Sequence, residues 1–240
     1  MKKIFMFLAI ALTFNFSLWD PFGTTFLISN CFSQEKGLVA YWSFDEGSGK
    51  IAKDAAGKNN GDIIDAEWTA GKVGKALKFS GEGSFIDIPV SDSLNIDGSV
   101  TVELWVKHEG DEYKEWECIL AKGDHAYRLH IRPGTFEFDF GVNTGGEFHD
   151  QVSGIKPEPG KWYHVAGTYD GAKTCVYVNG KLAASGAEWS GPIDTNDLDL
   201  YIGDNSEATG RFFKGIIDEV RIYSRALSEA EIKTRYDKEK

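Results

Sequence analysis

Positive charge is scarce in this sequence. The 240 residues contain 26 lysines and arginines against 37 aspartates and glutamates, which gives a formal net charge of -11. Nucleic acids and anionic membrane surfaces repel a chain of this charge, so the composition argues against both as partners. Neutral glycans, other proteins and bound calcium are compatible with it.

The familiar catalytic motifs are also missing. The sequence has no His-Glu-x-x-His spacing for zinc, no Gly-x-Ser-x-Gly nucleophile elbow and no glycine-rich phosphate loop. The five histidines are scattered along the chain at His108, His125, His130, His149 and His164. The sequence therefore gives no motif-based support for a zinc hydrolase, a serine hydrolase or a nucleotide-binding enzyme.

A long apolar run occurs only at the N-terminus. Lys2 and Lys3 precede a largely apolar stretch over residues 4–19, which is typical of a secretory signal. The stretch is shorter than the roughly 20 residues that a transmembrane helix needs. We therefore predict a signal peptide over residues 1–33, with an uncleaved anchor as the alternative. The remaining domain, residues 34–240, is expected to be secreted or held in the cell envelope.

Helical periodicity is almost absent, and period-two alternation replaces it. Residues 100–107 alternate between apolar and mostly polar side chains, and residues 127–132 and 135–140 do the same on either side of Pro133-Gly134. The apolar set of this last hairpin is Tyr127, Leu129, Ile131, Phe136, Phe138 and Phe140. Strands of this kind bury one face and leave the other polar, as antiparallel sheets do.

Turn signals separate further strands towards the C-terminus. Asp170-Gly171 and Asn179-Gly180 tolerate the positive φ angles of tight hairpins. Ser228 and Glu231 have the spacing of a capping box and predict one short helix at the C-terminal end. Many closely spaced strands without an internal repeat predict a single all-β sandwich or barrel.

Seven segments, taken in order, resemble the laminin-G-like jelly-roll family of the concanavalin A-like lectin/glucanase superfamily. They lie at residues 37–49, 71–79, 101–107, 162–166, 176–180, 215–223 and 225–229, beginning with Gly-Leu-Val-Ala-Tyr-Trp-Ser-Phe-Asp-Glu-Gly-Ser-Gly. The resemblance implies an all-β fold: a two-sheet antiparallel jelly-roll sandwich with a short C-terminal helix. It does not identify the ligand, because this fold carries many functions.

The best candidates for catalysis are Glu137 and Asp139. A retaining glycosidase needs two carboxylates roughly 5 Å apart across the scissile bond. Related glycosidases carry Glu-x-Asp-x-x-Glu on such a strand, but Val142 stands at the position of the last glutamate. We therefore predict no catalytic residue, with a glycoside hydrolase or polysaccharide lyase as the less favoured alternative. In the non-catalytic interpretation, Glu137 and Asp139 form ion pairs with Arg128 or Arg132 across the hairpin.

A carboxylate on the last predicted strand suggests a metal. Asp218 shares the apolar side of the pattern with Ile216, Val220 and Ile222, and an unpaired buried charge is costly. The resemblance implies a structural calcium between the first and last strands, with Asp45 and Asp218 as its ligands. The alternative is that backbone amides or Arg221 satisfy Asp218.

Two cysteines remain if the signal is cleaved. Cys118 and Cys175 form a disulfide if their strands are neighbours in an oxidising compartment, and otherwise they are two separate buried thiols. The sequence leaves both alternatives open.

The polar side of the central hairpin is the predicted ligand-binding surface. Its polar residues are Arg128, His130, Glu137 and Asp139, and Tyr113 and Trp116 lie in a charged loop where they can offer rings to a sugar, as can Phe148 and Trp189. We predict a non-catalytic recognition module that binds carbohydrate. An extracellular protein is the alternative partner.

Overall fold

The computed structural model describes residues 35–240, so the predicted signal peptide lies outside the described residues. Within 35–240, no helix is long and apolar enough to span a bilayer. The elements are β1 Leu38–Trp42, β2 Ile51–Ala52, β3 Gly61–Ile64, β4 Glu67–Ala70, β5 Lys75–Ser80, β6 Phe85–Ile88, β7 Val100–His108, β8 Glu117–Ala121, β9 Tyr127–Ile131, β10 Phe138–Thr144, β11 Glu147–Val152, β12 Trp162–Tyr169, β13 Lys173–Val178, β14 Lys181–Glu188, β15 Leu200–Ile202, β16 Lys214–Tyr223 and α1 Glu229–Glu239.

Two antiparallel sheets of eight strands face each other across one main core. Sheet A has the order β14-β13-β12-β7-β16-β5-β4, and β1 pairs with β16 beside this path. Sheet B has the order β11-β10-β9-β8-β15-β6-β3-β2. The predicted two-sheet antiparallel sandwich with one short C-terminal helix is confirmed.

The alternation in β7 divides sheet A into two faces. Val100, Val102, Leu104 and Val106 belong to the core cluster between the sheets, as the sequence predicts. Trp105 points to the other side, where its ring stacks on Tyr236 of α1 at 5.7 Å. We call the two faces directed away from the core the outer face of sheet A and the outer face of sheet B.

The last strand departs from the predicted alternation. The register of β16 shifts between Asp218 and Arg221, and Glu219 has a φ of 54° at this bulge. One extra residue moves the following side chains to the opposite face. The assignment of Asp218 to the apolar side is therefore wrong. Asp218 pairs with Trp105 on the outer face of sheet A, although it is still fully buried.

The terminal helix covers the outer face of sheet A. Ser228 and Glu231 form the predicted capping box, and Ile232 is the fully buried residue of the helix. Arg235 bonds Glu35 at 2.6 Å, which ties α1 to the start of the described chain. Beneath α1, the buried His164 Nε2 and Glu103 Oε1 atoms lie 3.0 Å apart. Residues 35–240 place no helix on the outer face of sheet B.

Candidate functional site

Four of the six predicted ligand-binding residues meet on the outer face of sheet B. The core cluster takes the alternate residues of β9 and β10, so Arg128, His130 and Asp139 point outwards. His130 and Asp139 are direct cross-strand partners. Trp116 reaches the same place from the loop before β8, with its ring edge-on to His130 at 5.3 Å. Two neighbouring strands and one loop thus assemble a compact polar group.

Asp139 is buried without a hydrogen-bond partner. Its residue is only 2% exposed, and neither carboxylate oxygen makes a hydrogen bond to any described residue. Arg132 is the nearest cation, with Nη1 3.6 Å from Oδ2. Burial raises the pKa of Asp139 to about 7, and the Asp150 charge adds to this rise, while Arg132 and Arg128 oppose it. The predicted pairing of Asp139 with Arg132 is present, but as a loose ionic contact.

His130 is neutral in the same environment. Burial, together with the nearby Arg128 and Arg211 charges, holds the pKa of His130 well below its usual range. Its Nε2 atom is buried and has no hydrogen-bond partner among the described residues. His130 is therefore an uncharged group with an unused hydrogen-bonding atom beside Asp139.

Arg128 is fixed by three contacts. Its guanidinium donates to the Asp150 carboxylate and to the backbone oxygen of Asp124, and it lies under the Phe148 ring at 4.6 Å. The bridge to Asp150 crosses Gly141, where a Cβ atom would come within 1.9 Å of Asp150 Oδ1. Glycine at this position therefore gives the ion pair room to cross the sheet.

Asn143 extends the polar group along β10. It was not among the ligand-binding residues predicted from the sequence. It is fully buried, and both its amide oxygen and its amide nitrogen have no hydrogen-bond partner among the described residues. Its cross-strand partner Phe148 is 49% exposed. Asn143 stands before Thr-Gly-Gly and was not included in the predicted strand. Extending the alternation of Asp139 by four residues would have revealed it.

We call the outer-face residues Arg128, His130, Asp139, Asn143 and Asp150 the polar floor. A loop between β15 and β16 borders it. Arg211 of this loop donates to Asp124 at 2.7 Å, and its guanidinium lies 5.1 Å from the centre of the Trp116 ring. The floor is therefore flanked by Trp116 on the loop side and by Phe148 on the β11 side.

Tyr113 and Glu137 lie apart from the polar floor. Tyr113 packs against the core, with its ring stacked on His108 at 4.2 Å and on Phe136 at 5.1 Å. Phe136 has a φ of 58° and precedes β10, so the predicted alternation of this hairpin begins only at Phe138. Glu137 also precedes the strand, and its backbone oxygen accepts from Arg132.

Asp45 and Asp218 both hold the same loop, residues 71–75. Asp45 Oδ1 accepts from the Lys75 amide at 2.9 Å, and Asp218 Oδ2 accepts from the amides of Lys72 and Val73 at 2.8 and 3.0 Å. Burial raises the pKa of Asp218 to about 7, and these amide bonds oppose the rise. Of the alternatives drawn from the sequence, the backbone amides are the observed partners of Asp218.

The fit of calcium to this pair is incomplete. Calcium takes six to eight oxygen ligands, whereas amide donors hold one oxygen of each carboxylate. Across residues 35–240, no three side chains of His, Cys, Asp or Glu are grouped closely enough to hold a metal ion. Asp218 Oδ1 is nevertheless buried without a hydrogen-bond partner among these residues.

The two cysteines are free thiols. Cys118 pairs with His130 in sheet B, whereas Cys175 lies in sheet A and packs against the cluster beneath α1. Packed sheets are about 10 Å apart, which is beyond the Cα separation that a disulfide spans. Of the two alternatives that the sequence left open, the structure shows separate thiols, with Cys118 buried and Cys175 partly buried.

Two facing antiparallel sheets, with the helix on one outer face and a polar floor on the other, define a jelly-roll β-sandwich domain. The Laminin_G_3 model of the concanavalin A-like lectin/glucanase superfamily matches residues 80–233. The chain therefore belongs to this family, as the sequence motifs predict.

Curated relatives share part of the chain. Pappalysin-1 of Mus musculus and of Homo sapiens are each 25% identical in an alignment of 179 positions that covers 66% of this chain. The chain spans only 11% of the length of either protein. The similarity is thus confined to a small part of pappalysin-1.

Solved structures with a similar fold include binding domains and enzymes. Domain 4 of AbnA, a GH43 extracellular arabinanase from Geobacillus stearothermophilus solved with arabinotriose, is 26% identical with a TM-score of 0.65, over 83% of this chain and 98% of that domain. The binding domain of Paraclostridial Mosquitocidal Protein 1 is 16% identical, with a TM-score of 0.65 over 84% and 52% of the two chains. Trypanosoma rangeli sialidase is 22% identical, with a TM-score of 0.63 over 83% and 32%. The last two show the fold alone.

Proposed function

We propose that this protein is an exported, non-catalytic recognition module that binds carbohydrate on the polar floor. One observation carries the proposal. Five buried polar atoms of the floor have no hydrogen-bond partner among the described residues: Asp139 Oδ1 and Oδ2, His130 Nε2, and Asn143 Oδ1 and Nδ2.

Five unpaired polar atoms on three neighbouring residues indicate a site where a ligand can supply the missing hydrogen bonds. Buried polar groups in folded proteins are nearly always hydrogen-bonded, and each one left unsatisfied costs about 1–3 kcal/mol. A sugar offers hydroxyl groups that both donate and accept. Several of them, presented together, match a floor whose unpaired atoms include both donors and acceptors.

Aromatic rings on both sides of the floor support the same ligand class. Phe148 is half exposed and is held from below by the Arg128 guanidinium, and Trp116 stands beside His130. Rings of this kind pack against the apolar face of a sugar. Because Asp139 is only 2% exposed, ligand binding requires neighbouring side chains to move, and Arg132, which is 42% exposed and 3.6 Å from Asp139, is the nearest cation that can do so.

The similarity to the arabinanase domain supports a carbohydrate ligand. That domain was solved with arabinotriose, and nearly its whole length matches this chain. The likeness suggests a class of ligand, an oligosaccharide, and does not identify the sugar.

Catalysis has weaker support. The floor contains two carboxylates, Asp139 and Asp150, but Asp150 is engaged by Arg128. Glu137, the other predicted carboxylate, precedes β10. A glycosidase needs two carboxylates that act on opposite sides of one bond. We therefore propose binding without hydrolysis, and release of reducing sugar from a bound oligosaccharide would contradict it.

Protein adhesion is the second candidate. Ile51 and Ile64 are exposed on β2 and β3, at the other end of sheet B from the floor. Exposed apolar side chains grouped in this way are found at protein interfaces. Binding to a protein array, lost on Ile64→Lys and kept on Asp139→Ala, would favour this candidate over the glycan.

Two further proposals accompany the binding role. Residues 1–33 direct export, which the N-terminal mass of the secreted protein tests. A structural calcium ion is proposed in a narrower form, held through Asp218 Oδ1 and backbone oxygens, because amides already engage Asp218 Oδ2 and Asp45 Oδ1. This ion would stabilise the loop rather than contact the sugar.

A glycan array screened with the purified protein tests the binding role. We expect selective binding that Asp139→Ala and Asn143→Ala weaken. Asp62→Asn, an exposed carboxylate at the far end of the same sheet, is the matched control and should bind normally. Absence of binding to any glycan would refute the carbohydrate role and leave protein adhesion first.

A further inference from the structure

The unpaired atoms of the polar floor are mostly acceptors. An ionised Asp139 offers two acceptor oxygens and Asn143 offers a third, while the Asn143 nitrogen is the amide donor. Ligand groups that donate hydrogen bonds therefore complement the floor. Hydroxyl groups donate, whereas carboxylate and sulfate groups only accept.

The cations around the floor are already engaged. Arg128 is bonded to Asp150, and Arg211 is bonded to Asp124. Arg132 is the third arginine, and it lies 3.6 Å from Asp139. An anionic ligand would meet the carboxylates of Asp139 and Asp150 with Arg132 as its main counter-charge. Like charges brought together in a buried site repel strongly.

Building on the proposed glycan-binding role, we propose that the polar floor selects uncharged sugar units, whose hydroxyl groups donate to the Asp139 carboxylate. Units that carry uronate, sulfate or sialate groups are rejected. The ligand class is a neutral oligosaccharide of pentoses or hexoses. Arg132 acts as a movable cover over the carboxylate rather than as an anion receptor.

Because the sugar hydroxyl groups donate to an ionised carboxylate, the affinity for neutral sugars should depend on pH. Asp139 faces Arg128 and His130 on β9, Arg132 directly after β9, and Asp150 on β11, and its pKa lies at about 7. The carboxylate accepts two hydroxyl donors only when it is ionised. Lowering the pH from about 8 to about 5.5 reduces the ionised fraction about 30-fold, which sets the largest expected loss of affinity.

Calorimetric titration with matched neutral and acidic oligosaccharides tests this inference. We expect neutral oligomers to bind at about pH 8 at least about tenfold more tightly than acidic ones, which corresponds to about 1.4 kcal/mol. Their affinity should fall towards about pH 5.5. Asp139→Asn should bind more weakly at the higher pH and lose most of the pH dependence, while Asp62→Asn behaves as wild type.

The outcomes separate this inference from the role on which it rests. Tighter binding of acidic oligosaccharides, or a wild-type affinity that is constant over this pH range, would overturn the selection of neutral sugars and leave glycan binding standing. No binding of either set would overturn the proposed function itself. The wild-type pH profile decides the point without any variant, so the test does not depend on the folding of Asp139→Asn.

Discussion

Replacing Asp139 with asparagine should stabilise the protein, although it damages the site. Burial raises the pKa of Asp139 from 3.8 to about 7, so the folded state disfavours the ionised carboxylate. A carboxyl group with a raised pKa in the folded state lowers the stability of the protein wherever it must ionise. This penalty is absent below the unfolded pKa of about 3.8, and it is complete once the pH has risen through the folded pKa of about 7. At about pH 8, three pKa units correspond to a penalty of about 4 kcal/mol in the wild-type protein.

Asparagine removes the charge but keeps two buried polar atoms. Their unsatisfied hydrogen bonds retain about 2 kcal/mol of the cost, which leaves a net gain of about 2 kcal/mol at about pH 8. For a domain of this size, the melting temperature should rise by about 4–8 °C. At about pH 4.5 the wild-type carboxyl is protonated in the folded state, so the advantage should disappear.

Urea unfolding at both pH values measures this difference directly. Asp62→Asn is the control, because Asp62 is exposed and its removal should change the unfolding free energy by less than about 0.5 kcal/mol. A destabilised Asp139→Asn protein at about pH 8, or a gain that is equal at both pH values, would refute the reasoning. Either result would mean that Asp139 is satisfied by groups other than the residues that surround it here.

Four further predictions concern other parts of the fold. Gly141→Ala should push Asp150 from its bridge and weaken glycan binding, at a stability cost of about 1–3 kcal/mol measured by urea unfolding; unchanged binding would show that the bridge is dispensable. Ser228→Ala should cost about 1 kcal/mol through loss of the capping box, seen as a lower melting temperature, whereas an unchanged value would exclude a role for the cap. Lys122→Met should cost about 3 kcal/mol, because the buried ammonium donates to three loop oxygens, and equal stability would contradict this. Excess calcium should raise the melting temperature and a chelator should lower it if Asp218 helps to hold an ion; identical curves would remove the calcium proposal.

The sequence predicts most of the strands and only part of their geometry. Alternation in β7 assigned Val100 and Val102 to the core correctly, and Asn179-Gly180 marks a turn in which both residues have positive φ. The bulge at Glu219 was missed, because an alternating pattern gives no sign of an extra residue. Glutamate, unlike asparagine, has no local preference for positive φ, so the conformation of Glu219 is set by tertiary contacts.

The sequence predicts which residues of the site lie side by side, but not how deeply they are buried. Hairpin register brings His130 and Asp139 together, and register follows from local pattern. Their burial does not follow from it, since Trp116 and Arg211 come from loops far away in the chain. Tyr113 was misplaced because an aromatic residue in a loop faces either solvent or core, and only the stacking on His108 decides between them.

The bond between Glu35 and Arg235 has a practical consequence. It brings the first described residue and the terminal helix together on the outer face of sheet A, whereas the polar floor occupies the opposite side of the sandwich. A sensor chip, a bead or a fluorescent fusion attached through either end would therefore meet the sheet A side. The sheet B side would stay clear of the attachment, so the proposed glycan binding should be the same for immobilised and free protein.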